Sequence, residues 1–308
     1  MHPTASCTRR GLFAGLGLAA ASAAAVEPFA RAGTPRFRLG LSAYGFRDFF
    51  RWNRGKEQPA AADPARRLSP EAFIDYAADA GCDGAELTAY YFDPAATLAG
   101  MRDLRRQAFL RGIAICGTAV GNSFTTPSKP ELDAAIAGVK DWIDRSAALG
   151  SPHLRVFAGS VPKGVDPALA RSTCIAALEA CAEHAGRAGV MLGLENHGGI
   201  VATADGLLEI VKTVRSQWLG VNLDTGNFLA ADPYAELARC VPYAVNVQYK
   251  VEIQRAPDAA KEPADAARVV KLLRDGGYQG FVTLEYEARE DPFVAVPRHL
   301  RELRDLLA

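Results

Sequence analysis

Four apolar, β-forming runs each end in side chains that can hold a proton or a cation. They are Leu194-Glu195-Asn196-His197, Leu223-Asp224-Thr225-Gly226-Asn227, Val247-Gln248-Tyr249-Lys250 and Leu284-Glu285-Tyr286-Glu287. An ionised group at the end of a buried strand is costly unless it is paired or metal-bound. Acids converging on one rim repel each other and push at least one pKa upward. A divalent cation removes that conflict, and oxygen-rich donors favour Mg, Mn or a similar hard-to-borderline ion. Pairing with organic cations such as Arg155 or Lys250 is the plainer alternative. Two further groups could share proton work. His197 follows Glu195 by two residues and points to the same side of its strand, and Lys250 shares a face with Gln248. Support of a neighbouring ligand and a structural ion pair are their respective plainer roles.

These residues need a frame that brings strand ends together. Eight strands are predicted, at Phe37–Ser42, Gly84–Thr88, Ile113–Thr118, His153–Phe157, Val190–Asn196, Leu219–Asp224, Ala244–Tyr249 and Gly280–Tyr286. Helical patterns lie between them. Ser69-Pro70-Glu71 and Asp166-Pro167 each read as an N-cap followed by a first-turn proline. Gly81, Gly112, Gly150 and Gly189 fall where left-handed C-caps belong. A last helix is expected over Asp291–Leu307. Alternating β and α units predict a parallel sheet, and eight of them predict a (β/α)8 TIM barrel over residues 36–308, with chemistry at the C-terminal strand ends. The runner-up, a doubly wound open sheet, more often carries a glycine-rich dinucleotide loop after its first strand, and none is found.

Glu86 and Arg155 are polar positions on otherwise apolar strands, expected either to line the pocket or to form a buried pair. The segment Tyr44 to Arg67 is long for a βα loop and rich in aromatic residues. Phe46 and Trp52 are expected to stack over a sugar as a lid or to form a subunit interface; packing of a short helix is the alternative.

The first 32 residues read as an export label. Arg9-Arg10 precedes a mild Ala/Gly/Leu-rich run, and both Ala23-Ala24-Ala25 and Ala30-Arg31-Ala32 fit a small-residue cleavage signal. A twin-arginine route to the periplasm or the exterior is the expectation, leaving no membrane span after signal removal. The chain of 308 residues balances 35 Lys+Arg against 35 Asp+Glu, and without residues 1–32 it carries a net charge of −2. Neither value suits a nucleic-acid protein. The five cysteines beyond the label are odd in number and lack Cys-x-x-Cys spacing, so they read as buried thiols.

The motifs Leu-Glu-Asn-His, Leu-Asp-Thr-Gly-Asn, Val-Gln-Tyr-Lys and Leu-Glu-Tyr-Glu resemble the xylose isomerase-like TIM barrels, a group of sugar phosphate isomerases and epimerases. The resemblance implies a metal held by Glu195, Asp224, Gln248 and Glu285. Gln248 departs from the family's usual histidine, which favours Mn or Mg over Zn, with Co a further option. Asn227 stands where a histidine is common and is expected, with Arg155, Glu86, Phe46 and Trp52, to contact substrate. The implied reaction is proton abstraction beside a carbonyl by Glu195 or Glu285, with His197 and Lys250 assisting, on a non-phosphorylated ketose or keto-sugar. Loss of a β leaving group from a keto-sugar, a lyase outcome, is the alternative. A non-catalytic exported sugar-binding protein is a third reading, and a homo-oligomer stays open.

Overall fold

The computed structural model of the chain describes residues 27–59 and 63–308. The twin-arginine pair, the apolar run and Ala23-Ala24-Ala25 lie outside the described residues. Eight parallel strands close into a barrel: β1 (Phe37–Ser42), β2 (Gly84–Thr88), β3 (Ala114–Ala119), β4 (His153–Val156), β5 (Met191–Glu195), β6 (Leu219–Asp224), β7 (Ala244–Tyr249) and β8 (Gly280–Leu284). β1 pairs with both β2 and β8, which closes the ring. Helices α1 (Pro70–Asp79), α2 (Leu98–Leu110), α3 (Lys129–Leu149), α4 (Pro167–Ala188), α5 (Ala204–Thr213), α6 (Pro233–Cys240), α7 (Ala266–Asp275) and α8 (Pro292–Leu307) each follow their strand. This is the predicted (β/α)8 barrel.

Local chemistry sets the helix ends as the sequence suggests. The Ser69 hydroxyl accepts from Ala72 N at 3.2 Å, and the Asp166 carboxylate accepts from Ala168 N at 3.0 Å, each ahead of a first-turn proline. Such caps are worth about 1 kcal/mol apiece. α4 stops at Gly189, whose φ of 71° is the left-handed conformation that glycine adopts without strain. Cys174 and Cys181 lie on the buried face of α4, and burial pushes each thiol up to about 12, so both are inert hydrophobes.

The core lies between the strands and the helix ring, and apolar side chains such as Leu41, Leu154, Leu194, Val247 and Leu284 fill it. No helix among the described residues is long and apolar enough to cross a membrane. Under the floor of the barrel runs a strap preceding β1. Phe29 N donates to Pro242 O at 2.9 Å, and the Phe29 ring lies against Gly220. Arg31 donates to Ala244 O and stacks over Phe29 and Tyr278, with centroid distances of 5.1 and 5.3 Å.

The long loop after β1 folds back on the barrel. It contains a 3-10 turn at Ala43–Phe46, a two-stranded ribbon pairing Trp52–Asn53 with Lys56–Glu57, and a second turn at Pro64–Arg66. Phe46 is fully buried against Phe73, Tyr76 and Phe293, with ring centroids 5.1–5.8 Å apart. The expectation that Phe46 stacks on substrate is therefore corrected. Burying a phenyl ring against three others stabilises more than exposing it at a pocket mouth, and α1 and α8 supply that aromatic nest.

Candidate active site

The side chains at the C-terminal strand ends come together as a buried polar cluster. Glu195 ends β5, Asp224 ends β6, Gln248 lies near the end of β7, and Lys250 and Glu285 follow β7 and β8 directly. All five are at most 7% exposed in a setting where charge needs a partner. Parallel pairing places Gln248 beside both Asp224 and Thr283, so the order around the mouth follows from strand register.

Two organic cations divide the acids. Arg155, from β4, pairs through Nε with Glu195 Oε2 at 2.9 Å and donates to Val120 O at 2.9 Å. Lys250 Nζ lies 3.3 Å from Asp224 Oδ2 and 3.5 Å from Glu285 Oε2, and also binds Glu287. Gly226 makes room for this lysine: a Cβ there would stand 2.8 Å from Lys250 Cβ. Asn227 donates to Glu195 Oε1 at 3.1 Å, and Gly226 N donates to Asp224 Oδ1 at 2.8 Å. Asn196 locks the adjoining turn by bonding Asp224 N and O, both at 2.9 Å.

The electrostatics follow from burial and crowding. Burial pushes the Glu195 carboxyl up to about 7, against the pull of Arg155. Burial raises Asp224 too, opposed by Lys250, and raises Glu285 well above the usual carboxylate range. Lys250 resists burial and is held well above its ordinary value by Asp224, Glu285 and Glu287. Glu287, although partly buried, is held low by Lys250. With Glu86 beneath them, the acids outnumber Arg155 and Lys250 and compete for protons or a further cation.

His197 stands at the exposed rim, its ring 4.6 Å from that of Phe157, which in turn carries the Arg155 guanidinium at 3.9 Å. Glu86 crosses the barrel beneath the mouth and bonds Gln248 Nε2 at 2.7 Å. Trp52 does not line the cavity over Lys250. It lines a separate cavity of about 450 Å³ with Tyr91 and Phe92. A smaller cavity of about 120 Å³ opens over Lys250, Asn227 and Glu287. Sequence reasoning missed Asn222, Asn246 and His153, and gave Glu287 no role. The first two lie two residues before Asp224 and Gln248, so period-2 alternation aims them into the same interior.

Among the described residues, no three His, Cys, Asp or Glu side chains stand assembled as a closed ligand set. The donor chemistry nevertheless fits a hard divalent ion. Glu195, Asp224 and Glu285 offer carboxylate oxygens, Gln248 an amide oxygen that now accepts from Asn222 Nδ2 at 2.6 Å, and buried Asp224 Oδ2 meets the Lys250 ammonium at 3.3 Å without a well-formed hydrogen bond. The organic cations would have to yield part of their contacts to such an ion.

By sequence, no curated protein matches the chain. Residues 74–305 match the xylose isomerase-like TIM barrel family. Among solved structures, D-psicose 3-epimerase with D-tagatose from Clostridium cellulolyticum H10 superposes with TM-score 0.65 at 20% identity, covering 87% of this chain and 91% of that one. The 3-keto-D-glucoside 4-epimerase from E. coli gives TM-score 0.66 at 15% identity, covering 88% and 99%. A xylose isomerase-like TIM barrel protein from Mycobacterium smegmatis in complex with magnesium gives 0.64 at 17%, covering 88% and 96%. The closed barrel and the match across most of its length together place the chain in the xylose isomerase-like TIM barrel family.

Proposed function

We propose that the chain is a divalent-cation-dependent isomerase or epimerase of a ketose or keto-sugar, working by proton transfer beside a carbonyl. The observation that carries this reading is the pair of buried carboxylates Glu195 and Glu285, set on strands separated by β6 and β7 around one mouth. Both are raised above the ordinary carboxylate range, toward the basicity that proton transfer near neutral pH requires. Glu195, Asp224, Gln248 and Glu285 would hold the cation, which supplies polarisation of a carbonyl oxygen when bound.

The chain's own groups account for the rest. One of Glu195 and Glu285 takes the proton from the carbon and the other returns one from the far side. Arg155 tempers Glu195 and holds its carboxylate in place through the 2.9 Å pair. Lys250 faces the smaller cavity and offers positive charge to an oxygen that becomes anionic. Asn227, already a donor to Glu195, borders that cavity and can reach a sugar hydroxyl. Partial desolvation at the rim and the Arg155 guanidinium lower the pKa of His197, which favours the neutral ring that can accept or relay a proton. The sugar epimerases among the structural neighbours agree with this substrate class. The reading extends to a chain exported through Arg9-Arg10 and acting on free rather than phosphorylated sugars, with Mn or Mg as the ion.

Incubating ketoses and 3-keto-glycosides with the Mn-loaded protein in deuterated water should place label on the carbon beside the carbonyl. Glu195→Gln and Glu285→Gln should each lower exchange at least about 100-fold. Binding without exchange, unchanged in both variants, would overturn catalysis in favour of a sugar-binding protein. Label lost together with a β substituent would identify a lyase.

A further inference from the structure

The small cavity over Lys250 is bounded on one side by Glu287 and Ala288. A second cavity, of about 410 Å³, adjoins it there, since the same two residues line both. Its walls come from the loop after β1 and the loop after β8, with Arg47, Asp48, Arg289 and Asp291 among the side chains. The first cavity, at about 120 Å³, has room for roughly four waters at about 30 Å³ each. A hexose seated on Lys250 and Asn227 needs more space than that, and the adjoining cavity supplies it.

The charge of the second cavity depends on which groups are already engaged. Asp291 pairs with Arg66 at 2.5 Å, Glu290 with Arg298 at 2.6 Å, and Glu287 with Lys250. Among the described residues, Arg47 and Arg289 make no salt bridge, and Asp48 is the one lining acid left unpaired. Two open guanidinium groups therefore face one open, exposed carboxylate. Arg47 is half-buried and lies over the Tyr44 ring, 5.4 Å from its centroid, which restrains the guanidinium. Tyr44 in turn stands between Arg47 and the acids of the mouth: burial and then Glu287 raise its pKa, and Arg47 opposes them. An arginine held this way presents a planar fork that suits a carboxylate or a phosphate.

We infer that this second cavity is a substrate subsite for an anionic group, with Arg47 and Arg289 as its specificity-determining residues. The inference rests on the isomerase reading above and narrows its substrate class. The reacting carbons sit at the mouth, the sugar crosses Glu287, and its far end carries the negative charge. Glu287 does not repel that charge, because Lys250 already neutralises it. On a free sugar the group is a carboxylate, as in a keto-uronate; on a phosphorylated one it is a terminal phosphate.

The test compares kcat/KM of the full-length, Mn-loaded protein on a neutral ketohexose, the matching keto-uronate and the matching terminal phosphate ester. In wild type at least one anionic substrate should exceed the neutral one, and the one that does identifies the anion. Arg47→Gln and Arg289→Gln should each lower the anionic-to-neutral ratio about tenfold, chiefly through KM, as loss of a charge-assisted hydrogen bond does. Arg47→Lys keeps the charge without the fork and should restore part of the ratio. Added salt should depress the ratio in wild type more than in the double variant. Arg289 is exposed, so its variant remains readable even if Arg47→Gln disturbs the loop. A ratio that neither variant moves overturns the inference, and so does a wild type that prefers the neutral ketose. A gain confined to the phosphate ester supports the anion subsite and overturns the free-sugar part of the reading. Wild-type protein that exchanges no label on any ketose overturns the isomerase reading and this inference with it.

Discussion

At the scale of single residues, two organic cations hold the buried acids of the site, and the proposed divalent ion would have to compete with them. Lys250 stands between Asp224 and Glu285 at 3.3 and 3.5 Å. Removing its charge strands two buried carboxylates, and breaking a buried pair commonly costs about 3–5 kcal/mol. Lys250→Met should therefore lower the melting temperature in chelator, and added Mn2+ should raise it by more than in wild type. Scanning calorimetry with and without Mn2+ checks both. The protonation of Glu195 makes a related prediction. Its carboxyl sits at about 7 in the folded barrel against an ordinary value of 4.5. The folded state thus holds this proton more tightly than the unfolded chain, so its stabilising contribution is full below pH 4.5 and lost as pH rises through 7. The proposed cation, held by Glu195, would compete with that proton. The Mn-induced rise in melting temperature should accordingly be larger at pH 8 than at pH 5; a pH-independent rise would count against Glu195 as a ligand.

At the scale of elements, the sequence was most readable where local chemistry and tertiary packing agree. Caps at Ser69 and Asp166, glycine stops and apolar β runs gave all eight strands and their order, because each signal is local and repeated. Within the strand ends, Glu195, Asp224, Gln248 and Glu285 were legible as a polar fringe. Their division between Arg155 and Lys250 was legible only as an alternative, since ion-pair choice depends on side-chain reach across strands. Phe46 was misread for a similar reason. An aromatic in a long loop looks the same in sequence whether α1 and α8 cover it or solvent does. Phe46→Ala should cost about 3–5 kcal/mol in urea unfolding, as cavity formation around a buried ring does, while leaving KM for the sugar unaltered. A raised KM with unchanged stability would restore Phe46 to the substrate site.

At the scale of the whole molecule, the barrel separates its tasks between two ends. The mouth gathers acids that destabilise one another, and the floor is closed by apolar packing and by the strap carrying Phe29 and Arg31. Such a division lets strain at one end be offset by burial at the other. A chain shortened to begin at Gly33 loses the half-buried Phe29 ring, and should be less stable by about 1–2 kcal/mol by the usual value of apolar burial, with its metal affinity unaffected. Thermal melts of the two lengths decide this. The strap also overlaps Ala30-Arg31-Ala32, one of the two candidate cleavage signals. In a chain that folds before it is trimmed, the Arg31 side chain is already engaged with Ala244 O, so a peptidase would have to peel the strap off the floor to cut after Ala32. Cleavage after Ala25 would leave Phe29 and Arg31, and so the strap, on the finished chain. The order of folding and maturation would then be written into the first residue of the finished protein.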